Sequence, residues 1–269
     1  LMSESRFIKY IEGKSIIHNL DPRAKIIFVF SILFSLTISP SLILIIPLLI
    51  ISFLFYLLAK LPLKKTITTW KFILIIIVVL SMLNLLTLSI LYKHGGNIIF
   101  EFSWFVITDE IIQRAIFPVM KLLSLAIVTI TLIFTTPPKL YAPALGQMHV
   151  PYKPAYIIQL AFRYIPEYIV EMRKTLEAQM ARGFKPKGGK NPLAKILSII
   201  PLIVPVTISA ALSIYDIADA MELRGFGEKE NHTWYRKLDF NRKDVFLIIL
   251  SIFIVLIYIF SYFYFRFLF

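Results

Sequence analysis

The 269-residue sequence has no cysteine, and its 16 acidic side chains are far outnumbered by 29 basic ones. The absence of cysteine excludes disulfide bonds and thiolate metal sites, because both require the Cys sulfur atom. The four histidines are too far apart in sequence for any two to share a helix face as metal ligands; they are His18, His94, His149 and His232. We therefore expect no metal and no cofactor.

A phosphate-binding loop is also missing. Gly183, Gly188, Gly189 and Lys190 resemble one in composition, but Asn191 follows the lysine, the glycine spacing is wrong and no strand precedes the segment. We interpret this stretch as a flexible linker. Any ATP that powers the protein is then hydrolysed by another subunit, and we expect the chain not to be an enzyme.

Apolar sequence is abundant instead. Hydrophobic residues make up 58% of the chain, whereas a soluble domain has about 45–50%. Four runs approach the roughly 20 residues that cross a bilayer; they are Leu42–Ala59, Phe72–Tyr92, Ile111–Thr135 and Val245–Phe265. A shorter run, Ile26–Ser39, is predicted to be a first crossing whose Arg23 and Lys25 reach back to the lipid–water interface. Pro40 predicts the turn that follows it.

The basic residues are distributed unevenly along this pattern. If the N-terminus is cytoplasmic, all but four Lys and Arg residues fall on the cytoplasmic side, which is the usual bias of membrane proteins. The exceptions are Lys93, Arg114, Lys121 and Arg266. Because the bases lie between apolar runs and not on one soluble face, we expect the lipid bilayer as a partner and no nucleic acid.

Residues 137–243 differ from the spans on either side. Apolar positions recur every three or four residues over Ala155–Arg182, which predicts an amphipathic helix at the cytoplasmic surface. Pro192–Tyr215 is apolar enough to cross, yet basic clusters flank both of its ends. We predict a tilted or re-entrant helix that begins and ends on the cytoplasmic side, kinked at Pro201 and Pro205. An ordinary sixth span is the alternative.

Two of these helices are predicted to end alike, in Ala181-Arg182-Gly183-Phe184 and Leu223-Arg224-Gly225-Phe226. Glycine just past the last turn is a common helix stop, and a nearby cation interacts favourably with the helix dipole. One such ending indicates only a capped helix. Its repetition on one side of the membrane favours paired docking points, because the planar arginine fork fits pockets of carbonyls and carboxylates.

The sequence resembles the transmembrane T component of energy-coupling factor (ECF) ABC transporters, known as EcfT and related to CbiQ. Three motifs carry the resemblance, in this order along most of the chain: Leu20–Lys25 (LDPRAK), Phe162–Pro166 (FRYIP) and Asp219–Phe226 (DAMELRGF). Leu223 departs from the pattern, because the family usually has alanine or serine before the second arginine.

The resemblance implies a non-catalytic subunit of an importer of vitamins or metal ions in a prokaryotic plasma membrane. Its implied partners are two cytoplasmic ABC ATPases and a membrane-embedded S component that binds the cargo. The residues implied to contact the ATPases are Ala181, Arg182, Gly183, Leu223, Arg224 and Gly225. Those implied to contact the S component are Ile157, Leu160, Tyr164, Tyr168, Pro201 and Pro205.

The predicted fold class is an all-α integral membrane protein with about five transmembrane helices and a cytoplasmic region of long, crossed helices. We place its divisions at residues 1–136, 137–243 and 244–269. A stand-alone secondary transporter or channel is the alternative function, but it predicts inverted repeats and polar residues near the midplane, which we do not find. An intramembrane enzyme would need a nucleophile–base pair or metal ligands at depth. The spans offer only hydroxyl groups and Lys121, which is interpreted as either snorkelling to the interface or facing the helix bundle.

Overall fold

The computed structural model describes residues 10–91, 98–102, 105–184, 200–228 and 237–268. Within these ranges the chain forms α-helices, a short 3-10 helix (Pro138–Leu140) and one short hairpin. The helices are α1 (Pro22–Ile38), α2 (Leu42–Ala59), α3 (Leu63–Leu91), α4 (Asp109–Thr135), α5 (Tyr141–Gln147), α6 (Tyr152–Ala181), α7 (Ile200–Glu222) and α8 (Arg242–Leu268). The all-α integral membrane class is confirmed. The hairpin pairs strands β1 (Ile98–Phe102) and β2 (Phe105–Thr108) antiparallel between α3 and α4, and it was not predicted.

The chain divides into two compact units. The first contains Phe7–Leu140 and Leu238–Phe269 and is called here the helix bundle. The second contains Tyr141–Lys237, with α5, α6 and α7, and is called the paired-helix region.

In the helix bundle, α1 packs against α8 and α4, while α2 and α3 pack against α4. Phe28 of α1 meets Phe55 of α2 with ring centroids 4.6 Å apart. Buried hydroxyls at Ser52, Thr131 and Ser251 donate to the carbonyl four residues earlier in their own helices. Such small residues satisfy their own polar atoms and let neighbouring helices approach closely, which is the usual basis of packing in lipid.

The start of α1 is fixed by a buried ion pair. Asp21 is the N-cap residue, and Pro22 occupies the start of the helix, where its missing N–H is not needed. Arg23 donates through Nε and Nη2 to the two oxygens of Asp21, at 3.1 and 2.8 Å, and through Nη2 to the Leu238 carbonyl at 2.7 Å. Its guanidinium also lies 3.8 Å from the centre of the Phe240 ring. This contact joins the first helix to the segment that precedes the last.

The prediction that Arg23 and Lys25 reach the lipid–water interface is therefore wrong. Arg23 is 8% exposed and Lys25 only 1%. Lys25 Nζ donates to the carbonyl of Thr135, the last residue of α4, at 3.2 Å. Both cations find acceptors inside the protein, and a buried donor with a partner does not need to reach water.

The predicted spans agree with the helices to different degrees. The bounds of α2 are as predicted, whereas α3 begins at Leu63 and not at Phe72. Its first turns include Lys64, Lys65 and Lys71, whose long side chains are exposed. Lysines at a helix end can extend towards water while the backbone stays helical, so hydropathy alone placed the start too late.

In the part of the chain that the structure describes, five helices are long and apolar enough to cross a membrane: α2, α3, α4, α7 and α8. Helix α1, predicted as the first crossing, has 17 residues. Helix α7 qualifies by length and composition although we predicted a tilted or re-entrant helix there. Residues 185–199, which include the predicted start of that helix at Pro192, lie outside the described residues.

Lys121, in the middle of α4, faces the helix bundle. Its Nζ donates to the carbonyl of Ser39, the C-cap of α1, at 3.3 Å and lies 4.4 Å from the centre of the Phe117 ring. A cation at the C-terminus of a helix interacts favourably with carbonyls that have no partner within the helix. This contact gives Lys121 a structural role.

Candidate functional site

Helix α6 is the longest element of the paired-helix region, and prolines set its start. Pro151 is the N-cap and Pro154 lies in the first turn, so the helix begins at Tyr152 and not at Ala155 as predicted. Proline is tolerated there because the first turn has no intrahelical acceptor for its N–H groups. At about 1.5 Å per residue, the 30-residue helix is about 45 Å long.

The end of α6 is a Schellman motif. Gly183 has a φ of +89°, and its N–H donates to the Met180 carbonyl at 3.0 Å. The N–H of Phe184 donates to the Gln179 carbonyl, also at 3.0 Å. These two bonds satisfy carbonyls that the end of the helix leaves free, and glycine adopts the required left-handed backbone at low cost. Arg182 is the C-cap residue.

The end of α7 repeats this motif position by position. Gly225 has a φ of +71°, and its N–H donates to the Glu222 carbonyl at 2.8 Å. The N–H of Phe226 donates to the Met221 carbonyl at 3.0 Å. Arg224 therefore occupies the position that Arg182 has in α6, and Leu223 corresponds to Ala181. The similarity of the two sequence motifs is also a similarity of backbone structure.

The side chains at both ends face outward. Ala181, Arg182, Leu223 and Arg224 are exposed, and Leu223 reaches 89%. Neither arginine forms an ion pair within the part of the chain that the structure describes. A cation beside an exposed apolar side chain is a suitable contact for another protein, because the two together provide charge recognition and apolar area.

The two ends differ in what holds them in place. The Phe226 ring lies 4.7 Å from that of Tyr156 and 5.7 Å from that of Tyr152, so the end of α7 packs against the start of α6. A Cβ on Gly225 would come within 3.1 Å of Glu228 Oε2. In contrast, a Cβ on Gly183 would meet nothing within 4 Å. Among the described residues, ring contacts anchor the α7 end, whereas Phe184 of the α6 end has no such contact, and we call this end the projecting end.

Helices α6 and α7 also pack along their length. Leu202 and Val206 of α7 are buried, and the hydroxyl of Ser209 donates to the Glu171 carboxylate of α6. This half-buried hydrogen bond favours one register of the two helices, because a slip would leave both polar groups without a partner.

Most of the residues predicted to contact the S component line a groove between the two helices. Ile157, Leu160, Tyr164 and Tyr168 all line it. Pro201 and Pro205 lie towards the other end of α7 and do not line it. The α7 side of the groove was not predicted; it is formed by Ile214, Ile217, Ala218 and Met221. Their spacings of three and four residues within an apolar helix were the signal that could have found them.

The chain is similar to known proteins over most of its length. The family described as cobalt transport protein, CbiQ, matches residues 13–235. The chain belongs to the CbiQ family. The energy-coupling factor transporter transmembrane protein EcfT of Bacillus subtilis is 30% identical over 92% of this chain and 95% of its own length. EcfT of Exiguobacterium sibiricum is 30% identical over 91% and 94%, and that of Brevibacillus brevis 29% over 92% and 94%.

The resemblance to the EcfT/CbiQ family is thus confirmed, and the match includes both arginine-bearing helix ends. Together with the apolar helices, it identifies this CbiQ-family chain as a multi-pass transmembrane component of an ECF transporter. The relatives named EcfT are described by those names as transmembrane proteins of a transporter, and the names state no catalytic activity.

Proposed function

We propose that the chain is the coupling subunit of an ECF-type importer for vitamins or metal ions in a prokaryotic cell membrane. Two cytoplasmic ATPases hydrolyse ATP, and the paired-helix region transmits their movement to a membrane-embedded S component. The chain itself is non-catalytic. Residues 137–243 carry the coupling, and the segments 1–136 and 244–269 form the membrane part.

The observation that carries the proposal is the repeated Schellman motif with an exposed arginine at the same position. Two ATPase subunits of one kind present two equivalent surfaces, and two equivalent helix ends match them. Each arginine can insert its five N–H donors into a pocket of carbonyls and carboxylates. Two hydrogen bonds fix the backbone at each helix end. A displacement of the arginine therefore moves the whole helix and does not merely deform a loop.

The S component is assigned to the apolar groove between α6 and α7. The groove holds about 830 Å³ and is lined mainly by apolar and aromatic side chains. Ile157 at its rim is 65% exposed, as is expected of a residue that a partner covers. Ile214 is 56% exposed on the α7 side. An apolar partner helix would bury these side chains, and movement of α6 against α7 would change the shape of the groove.

The cytoplasmic location of the two helix ends rests on the distribution of charge. Basic residues dominate residues 137–243, and positive charge is biased to the cytoplasm. The last turns of α7 contain Asp216, Asp219 and Glu222, all exposed. Three acids within two turns are unfavourable in hydrocarbon, so this end of α7 belongs in water, where an ATPase can reach it.

The test is a charge reversal at both ends. The chain that carries Arg182→Glu and Arg224→Glu is tagged and extracted from its host membrane. It is expected to co-purify with at least about tenfold less ATPase than the native chain does. The reason is that a charge of the wrong sign in a docking pocket is strongly unfavourable. ATPase subunits are identified by mass spectrometry, and uptake is measured in the same cells.

The matched control reverses two exposed bases in the middle of α6, with Arg173→Glu/Lys174→Glu. This change alters the net charge equally, and it is expected to leave recovery and uptake within about twofold of native, since exposed substitutions away from a site have small effects. Native recovery and uptake in the Arg182→Glu/Arg224→Glu chain would refute the proposed coupling role.

A further inference from the structure

The helix bundle has an apolar groove between α3 and α4, remote in sequence from the residues proposed to contact protein partners. It holds about 380 Å³. Ile77, Ile130 and Phe134 are buried and form its floor, while Ile76 and Ile133 at its rim are 41% and 47% exposed. The polar residues of the lining are Thr69 and Thr129. A groove of this composition between membrane-spanning helices accepts hydrocarbon.

The direction of the groove follows from its lining. On α3 it extends from Thr69 to Leu80, and on α4 from Leu122 to Phe134. The two helices are antiparallel neighbours joined through the hairpin, so the beginning of α3 and the end of α4 share one end of the groove. That end is where the lysines of α3 are located.

Lys65 lies just beyond this end of the groove. It precedes Thr69 by four residues and so lies one turn further along the same face of α3. Lys60, Lys64 and Lys71 lie in the same stretch, and all four lysines are exposed. No acidic residue occurs in the sequence from Pro22 to Phe100 to balance them. The α3 side of this end of the groove therefore carries only positive charge.

Trp70 marks the same level as a lipid–water boundary. Its Nε1 donates to the Tyr56 hydroxyl at 3.2 Å, and the two rings pack edge to face with centroids 5.7 Å apart. Tryptophan and tyrosine pairs of this kind concentrate at the headgroup level, because one edge is polar and the rest apolar. Lys65, one turn before Trp70, is then at the depth of lipid phosphates.

We infer that this groove binds an anionic phospholipid, with one acyl chain between α3 and α4 and the phosphate at Lys65. Hydrocarbon alone would fill the groove without preference for a headgroup. Lys65 adds that preference, since a base that contacts the lipid phosphate favours an anionic lipid by about fivefold, whereas a base that does not reach the bound phosphate adds little preference at this groove. This inference does not depend on the proposed coupling role.

Trp70 provides the measurement. Trp104→Phe/Trp234→Phe leaves it as the single tryptophan of the full chain. The protein is placed in phosphatidylcholine vesicles with brominated phosphatidylglycerol or brominated phosphatidylcholine, and quenching of Trp70 fluorescence gives the relative binding constant of the two lipids. We expect phosphatidylglycerol to be favoured by about fivefold or more.

Substitutions at the lysines and in the groove distinguish a defined lipid-binding site from diffuse electrostatic attraction between the lysines and anionic lipid. Lys65→Gln should lower the preference severalfold, whereas Lys64→Gln, which removes the same charge about 100° around α3 from Lys65 and off the face that carries Thr69, should change it less than twofold. Ala126→Phe should fill the groove and reduce quenching by brominated phosphatidylglycerol; Ala126→Leu is the milder alternative if phenylalanine prevents folding, which far-ultraviolet circular dichroism would show.

Equal quenching by both lipids, or equal effects of the Lys64 and Lys65 changes, would overturn the inference. So would unchanged quenching in a folded Ala126→Phe chain. Loss of a co-purifying membrane protein in Ala126→Phe, together with quenching that is indifferent to the headgroup, would assign the groove to a protein helix and would equally refute lipid binding.

Discussion

The chain uses arginine in two opposite ways. In the helix bundle, Arg23 is 8% exposed and its guanidinium contacts Asp21, the Leu238 carbonyl and the Phe240 ring. At the ends of α6 and α7, Arg182 and Arg224 are exposed, and neither is in an ion pair of the described residues. The same side chain holds the bundle together in one region and faces outward in the other.

The difference lies in what surrounds each residue. A buried cation must be paired, because an unpaired charge in a dry interior is strongly destabilising. An exposed arginine contributes little to stability, since water solvates it and screens its charge. We therefore expect substitutions of Arg23 to act on folding, and substitutions of Arg182 and Arg224 to act on assembly with partners.

The largest expected effect is the loss of Arg23. Arg23→Met leaves the Asp21 carboxylate buried without its cation and should lower the free energy of unfolding by about 3–5 kcal/mol. Arg182→Met and Arg224→Met should each change it by less than about 0.5 kcal/mol. Unfolding of the full chain by denaturant in mild detergent measures all three. Asp21→Asn combined with Arg23→Met should recover part of the lost free energy of unfolding. Similar losses in all three single variants would contradict the distinction between the buried arginine and the two exposed ones.

A smaller effect is expected at the anchored helix end. Phe226→Ala removes the contacts with Tyr152 and Tyr156, each worth about 0.5–1.5 kcal/mol beyond the apolar area. In this variant the backbone amides at positions 225 and 226 should exchange hydrogen about tenfold faster than in the native chain, as measured by mass spectrometry. Phe184→Ala is the matched control at the projecting end and should change exchange at Gly183 about twofold at most. Equal changes at the two ends would contradict the difference between them.

The glycines at the two ends should behave alike, with one small difference. Gly183→Ala and Gly225→Ala each place a Cβ in a left-handed backbone, at a cost of about 1 kcal/mol. Gly225→Ala should cost slightly more, because Glu228 must also move. Asparagine tolerates this backbone, so Gly183→Asn should recover most of the loss in helix-end protection. Alanine variants with native exchange rates would contradict the Schellman assignment.

The smallest effect concerns pH. His18 precedes α1, and its Nε2 donates to the Ile11 carbonyl at 3.0 Å while Nδ1 accepts from the Ser15 hydroxyl at 2.7 Å. Burial lowers the pKa of His18 below 6.5, the nearby Lys25 charge lowers it further, and the Ile11 carbonyl opposes the shift. The unfolded chain then binds the proton more readily, so stability is lost as pH falls below about 6.5.

This pH dependence can be isolated by substitution. The Tm of the native chain should fall more between pH 7.5 and 5.5 than that of His18→Gln, because the variant lacks the titrating group. Parallel Tm curves for the two proteins would show that His18 does not contribute.

The features that the sequence predicted well depend on local signals. The bounds of α2 follow from an apolar run between Pro40 and Lys60, and the helix ends at Gly183 and Gly225 follow from the rule that glycine favours left-handed backbone. The two arginine motifs could be recognised as a pair because they are repeated within one chain.

The features that it did not predict depend on contacts between distant residues. The Asp21 amide donates to Asp244, 223 residues away, at 2.7 Å, and no local pattern identifies that partner. The same holds for Phe226 against Tyr156, and for the apolar side chains that α7 contributes to the groove. Arg23 was misjudged for this reason: its position near a span predicted snorkelling, whereas its acceptors come from elsewhere in the fold.

The most direct test of the docking role uses the absence of cysteine. Ala181→Cys and Leu223→Cys place single thiols at equivalent exposed positions, each immediately before an arginine. Labelled with benzophenone maleimide and irradiated in host membranes, both should form covalent adducts with the ATPase subunits, whereas Lys174→Cys, in the middle of α6, should not. The absence of ATPase adducts from both helix ends would contradict the assignment of these ends as the ATPase contacts.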